Sequence, residues 1–176
     1  AVALILEPMI KHESEWVQSV SHMFQHDLSN AMALSGDRRT TAFTDLLTRV
    51  FQYARIDVLE IVDEQGIVLY RAQEPLRQGD AATYWGIDEA LAGRATLVSV
   101  REKNGPLIMH IEPINVGDRV VGAVCTGKRI DNGFVKELSR EIGAELSLVS
   151  RTGEIAASSK PWGSTPDSAA IREAFQ

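Results

Sequence analysis

The chain has 176 residues, 44% of them hydrophobic, enough to bury a real core and to argue against disorder. Its 18 Lys and Arg against 24 Asp and Glu give a formal net charge of -6, so there is no broad basic surface and a nucleic-acid reader is disfavoured. The single cysteine, Cys125, excludes an intrachain disulfide and a multi-cysteine metal site. No apolar run reaches the roughly 20 residues that span a bilayer.

From Leu6 to Leu34 the apolar residues Leu6, Met9, Ile10, Trp16, Val17, Val20, Phe24, Leu28, Ala31 and Leu34 recur at spacings of three and four. This predicts one amphipathic helix about 43 Å long, a length suited to a spine or stalk. The opening AVALIL, stopped by Glu7, reads equally as the end of a membrane helix cut short or as an ordinary apolar helix start. Trp16 and Phe24 are large for a stalk and predict cover by the same helix of a second copy, a homodimer. Ser35-Gly36-Asp37 breaks the pattern, and a second helix follows over Arg38 to Ala54, with Phe43, Leu46, Leu47, Val50 and Phe51 on its buried stripe.

The period then changes. Val58 to Asp63 and Ile67 to Arg71 alternate, and Gly66 ends the turn between them, which predicts a hairpin. A short helix over Gly86 to Ala92, closed by Gly93, leads to an antiparallel meander over Thr96 to Glu102, Leu107 to Asn115 and Arg119 to Arg129. Asn132 to Ile142 is helical and ends at Gly143, after which Leu146 to Ser158 writes the hairpin pattern again, with Gly153 in the matching place. The expected fold class is α+β: a long N-terminal helix, a PAS-like five-stranded antiparallel sheet with helices packed on it, and the start of a second module or an extra hairpin. The expected divisions are a helical spine over 1–54, a PAS-like module over 55–143 and the second hairpin segment over 144–176.

DEQGIVLYRA, EALAGRA, IEPINVGDRVVGAVCTGKRIDNGFVKEL and ELSLVSRTGEIAASS, taken in order, resemble the extracytoplasmic Cache sensor domains, most closely the double Cache type. The matching features are the glycine-turn hairpin, Ala90 to Gly93, Pro113, Gly122 to Gly127 with four residues between them where the family's Gly-x-x-x-Gly has three, and Phe134. The resemblance implies the extracytoplasmic, periplasmic part of an inner-membrane receptor that binds a small molecule and signals through its N-terminal helix, with flanking transmembrane helices outside this chain. It also accounts for the repeated hairpin, since a double Cache domain holds two PAS-like modules in tandem. Only 18 residues follow Ser158, too few for three more strands, so Leu146 to Ser158 opens a truncated module or braces the spine. The haem-binding relatives carry Cys-x-x-Cys-His, which is absent here, and the Tyr, Arg, Trp and Asp signature of the amino-acid-binding members is not found at matching spacing.

No Gly-x-Ser-x-Gly elbow, phosphate-cradling glycine loop or His-Glu-x-x-His is present, so no enzyme and no cofactor are expected. His22 and His26 have metal-ligand spacing but lack further ligands, and read as a solvated helix face. Cys125, among small apolar residues, reads as a buried inert thiol. Polar residues among apolar strand neighbours are the candidate ligand contacts, since burying them costs free energy unless a partner satisfies them. Arg101, His110 and Lys128 on the strands, with Tyr84 and Trp85 folded over them, are expected to converge on one sheet face and to suit a small carboxylate or another anion. The competing assignment is a cytoplasmic PAS or GAF-like regulatory module that dimerises through its first helix; a small hydrolase is a third, with no nucleophile in reach of a base.

Overall fold

A computed structural model describes residues 3–34, 41–102, 105–149 and 155–160. The turn at Ser35 to Asp37, the first residues of the expected second helix, Lys103-Asn104 and Gly153 lie outside the described residues. Helix α1 (Ala3–Leu34) and α2 (Thr41–Tyr53) precede β1 (Val58–Asp63) and β2 (Val68–Arg71). Then come α3 (Ile87–Leu91), β3 (Thr96–Glu102), β4 (Gly105–Val116), β5 (Arg119–Arg129), α4 (Asn132–Ile142), β6 (Ser147–Val149) and β7 (Ile155–Ser158). The strands form one five-stranded sheet, ordered β2-β1-β5-β4-β3, and a separate β6-β7 pair. Among the described residues no helix is long and apolar enough to cross a membrane.

By its contacts the chain divides into two compact units, one of residues 14–98 and 108–128, the other of 1–13, 99–107 and 129–176. In the first, the β1-β2 turn forms because Asp63 Oδ1 accepts from the amides of Gln65 and Ile67, both at 2.9 Å, while Gly66 takes φ 76°. β1 lies antiparallel to β5, pairing Glu60 with Cys125 and Asp63 with Gly122. Gly122 is required there: a Cβ on it would stand 2.2 Å from the carbonyl oxygen of Val62. One face of this sheet carries Leu59, Ile61, Ile114 and Val124, which pack with Leu47 of α2 and Val20 and Leu28 of α1 in a single apolar cluster. Each such side chain contributes about 1.5–3 kcal/mol by leaving water. We call this the helix face.

In the second unit, Asp131 caps α4 by accepting from the amide of Phe134 at 2.9 Å, and Gly143 ends it with φ 67°. The amide of Ser158 on β7 donates to Asn132 Oδ1 at 2.6 Å, which ties the small hairpin to the start of α4.

Candidate functional site

Alternation along the strands sends neighbouring residues to opposite faces. On the helix face, β5 offers Thr126, whose hydroxyl donates to the carbonyl of Val17 in α1 at 3.0 Å. From β4, Glu112 Oε1 meets His22 Nδ1 at 3.1 Å, and the carbonyl of Pro113 accepts from Gln25 Nε2 at 2.9 Å. Trp16 Nε1 donates to the carbonyl of Ala54 at 2.9 Å, just past α2. Helix α1 is thus clipped to the sheet by polar contacts at Val17, His22 and Gln25, besides its apolar stripe.

The five residues expected to converge do not share a face. His110 stands two residues from Glu112 on β4, with Nδ1 3.9 Å from Glu112 Oε2, and so looks toward α1. Lys128 shares the parity of Thr126, and its ammonium donates to the carbonyl of Arg55 at 2.9 Å and lies 3.4 Å from Asp57 Oδ2. Tyr84 and Trp85 belong to the segment across the sheet, because a Cβ on the next residue, Gly86, would lie 3.4 Å from Ile111 Cδ1 and 3.3 Å from Val98 Cγ1. Ile111 alternates with His110 and Glu112, so this is the opposite face. Tyr84 is half-buried there, but Trp85 is 72% exposed. Arg101 is placed on β3, in the other unit, and its side chain lies outside the described residues. Burial pushes His110 below the usual imidazole range, against the pull of Glu112, so its charging is delayed as pH falls. Cys125 is buried and its thiol is pushed up, by burial and then by Glu60.

The face away from α1 holds polar residues that the sequence reading missed. Glu60, at the centre of β1, is fully buried, and Arg71 of β2 pairs with it in register. Arg71 Nε donates to Glu60 Oε2 at 2.6 Å; Nη1 donates to the carbonyl of Arg77 at 2.9 Å and to Asp80 Oδ1 at 3.1 Å; and Nη2 reaches Asp80 Oδ2 at 3.3 Å. These bonds pin the segment 74–82, the strap, along the sheet margin. The strap also runs along β2, where Gly79 donates to the carbonyl of Val68 at 2.8 Å, Val68 donates to that of Asp80 at 2.9 Å, and Ala82 donates to that of Gly66 at 2.9 Å. An exposed sheet edge is thereby covered.

The electrostatics of this strap face are uneven. Burial pulls Arg71 down, but its bonds to Asp80 and Glu60 outweigh that and hold it charged. The Arg71 bond draws Asp80 below the usual carboxylate range. Burial nevertheless raises Glu60, more than the Arg71 bond lowers it. Glu60 Oε1 has no hydrogen-bond partner among the described residues, and neither do Ser21 Oγ, His110 Nδ1 and Glu112 Oε2. Among the described residues no group of three or more His, Cys, Asp or Glu is placed to hold a metal ion.

Over residues 2–176 the sequence matches the double Cache family described as the double sensory domain of two-component sensor kinase. The chain belongs to this family. A search of curated protein sequences finds no match. Among solved structures, this Cache domain is similar to the sensor domain of the Vibrio cholerae histidine kinase DctB, with TM-score 0.62 and 11% identity over 89% of this chain and 62% of that one. It is also similar to the ligand-binding domain of the Campylobacter jejuni chemoreceptor Tlp3 in complex with L-norvaline, with TM-score 0.59 and 12% identity over 96% of this chain and 77% of that one. At these identities the likeness is one of fold: an α+β sensor architecture with a five-stranded antiparallel sheet. The chain spans 62% of the DctB sensor domain. The family and these neighbours are sensor domains of receptors, not enzymes, which supports a ligand-sensing role for this Cache domain.

Proposed function

We propose that this chain is the extracytoplasmic ligand-sensing domain of a bacterial transmembrane receptor, that it binds a small molecule on the strap face of its PAS-like sheet, and that it signals through α1. The observation that carries this reading is the division of labour between the two faces of one sheet. Residues 125 and 126 of β5 are adjacent, yet Cys125 lies beside Glu60 on the strap face while Thr126 bonds the carbonyl of Val17 in α1. A ligand that favours one packing of the strap over the sheet biases β5, and the Thr126 and Glu112 clips pass that bias to α1 as a small shift or rotation. The domain performs no chemistry in this reading; differential affinity for two packings is sufficient.

The comparisons support the same setting. DctB is a histidine kinase with a sensor domain of this fold, and the Tlp3 domain holds L-norvaline, a small molecule. The surface of α1 supports weak self-association, since Trp16 is 41% and Met23 59% exposed on one helix. A topology reporter fused within Val58 to Ser158 of the membrane-borne protein tests the placement. Periplasmic signal is expected, and a cytoplasmic signal overturns the reading.

A further inference from the structure

The strap face holds one buried cation between two carboxylates. Arg71, 6% exposed, serves both Glu60 and Asp80, and the other nearby cation among the described residues, Arg77, has a side chain 62% exposed and is divided between Glu74 at 3.5 Å and Asp80 at 3.2 Å. The side chain of Glu60 is 1% exposed, and among the described residues only Oε2 is bonded. A buried carboxylate oxygen without a donor is costly, so a site that retains one is completed when something brings a donor to it. The neighbours of Glu60 on β5 are small: its own partner is Cys125, and the flanking pairs place Ala123 against Val62 and Gly127 against Val58. Cys125, Ala123 and Gly127 therefore put little side-chain bulk beside the Glu60 carboxylate.

We infer that the molecule sensed on this face carries a protonated amine, and that Glu60 Oε1 accepts a charge-assisted hydrogen bond from it. This deepens the ligand-sensing reading and rests on it. It also reverses the sign expected from the sequence, where Arg101, His110 and Lys128 pointed to an anion. Lys128 and His110 face the helices, and the buried ion group on the strap face is short of positive charge. Arg71 has no two-pronged grip left to offer a ligand carboxylate, because four of its five N–H groups already bond Glu60, the carbonyl of Arg77 and Asp80. The ammonium completes the acceptor that Arg71 leaves over.

The test uses the whole 176-residue chain and matched probes: n-pentylamine, L-norvaline and putrescine as amines, pentanoate and succinate as anions, 1-pentanol as the neutral member. Thermal shift ranks them and calorimetry gives affinities. At least one amine is expected to raise the melting temperature while pentanoate and pentanol do not, and Glu60→Gln is expected to weaken that amine roughly 10- to 100-fold, the loss of one charge-assisted hydrogen bond. The amide keeps an acceptor for Arg71, and circular dichroism checks that the variant folds. Should it not fold, the comparison of pentylamine with pentanoate and pentanol on the unaltered chain decides alone. Stabilisation only by anions or pentanol, or an amine bound equally by Glu60→Gln, overturns the inference and leaves the sensing reading standing. No stabilisation by any probe overturns both.

Discussion

Replacing Arg71 with Met removes the cation from the strap face while keeping a side chain of similar length. Glu60, fully buried, then has two options. It stays ionised without a partner, a state that costs about 3–5 kcal/mol, or it takes a proton. Protonating a carboxyl of ordinary pKa near 4.3 at pH 7 costs about 1.36 × 2.7, or roughly 3.7 kcal/mol, which caps the penalty. Burial already holds Glu60 above its ordinary value in the unaltered protein, so part of that cost is present before the change. Arg71→Met is therefore expected to destabilise by about 2–3.7 kcal/mol at pH 7, or roughly 4–15 °C in Tm. The sign with pH follows from the raised carboxyl. The folded variant binds its proton more tightly than the unfolded chain, so stability is lost as pH rises from about 4.3 through the folded value and returns as pH falls. At pH 5 the capped cost is only about 1 kcal/mol. Urea denaturation followed by circular dichroism at pH 5 and pH 7 measures both. A loss below about 1 kcal/mol at pH 7, or an equal loss at the two pH values, refutes the buried-pair account. Adding Glu60→Leu to Arg71→Met should recover most of the stability, because the double change leaves no buried charge uncompensated, and the half-exposed Asp80 keeps Arg77 at 3.2 Å.

His110, lowered by burial, makes the folded protein bind fewer protons than the unfolded chain, so stability is full above about pH 6.5 and falls as pH drops through the depressed folded value; His110→Gln should flatten that limb in a pH series of melting curves. Gly122→Ala forces a Cβ to 2.2 Å from the Val62 carbonyl oxygen across the β1-β5 pair, and is expected to cost more than about 2 kcal/mol, whereas Gly117→Ala, with nothing within 4 Å, costs only the strain of φ 60°, about 1 kcal/mol; equal urea midpoints would refute the close-approach argument. Met23→Glu on the exposed side of α1 should shift weak dimers to monomers in light scattering without lowering Tm, and a chain already monomeric at high concentration would count against self-association.

The fold was legible because its two periodicities are clean. The spacing of three and four through Leu34 gave α1, observed over Ala3–Leu34, and the alternation after Val58 gave the five strands of the main sheet. Glycines marked the joints: Gly66 at the first turn and Gly143 at the end of α4 both adopt positive φ. Element ends were less certain. β4 begins at Gly105, two residues before the expected Leu107, because Gly105 at φ 125° sits against the Ile130 backbone, where a Cβ would stand 2.3 Å from its carbonyl oxygen. A pattern of side-chain hydrophobicity carries no trace of such a backbone approach.

The site was less legible, for a reason that also lies in the strands. His110 reads as a ligand contact because it is polar among apolar neighbours, and the structure does bury it, at 4% exposure. Alternation told which residues share a face but not which face is covered by which helix, and α1 takes the face of His110. The exposure of Trp85 has the same origin: a connecting segment shows no period, so its sequence does not say which side chain turns inward. Glu60 and Arg71 did leave a signal. In VLEIVD every residue from Val58 to Val62 is buried, and a glutamate in the middle of a strand buried on both faces needs a cation in register. The hairpin supplies one, since a turn centred on Gly66 brings Arg71 opposite Glu60. A charge that a buried strand retains beside small residues such as Ala123 and Cys125 is costly for stability alone, and that cost is what directs attention to the strap face as the place where a ligand completes the structure.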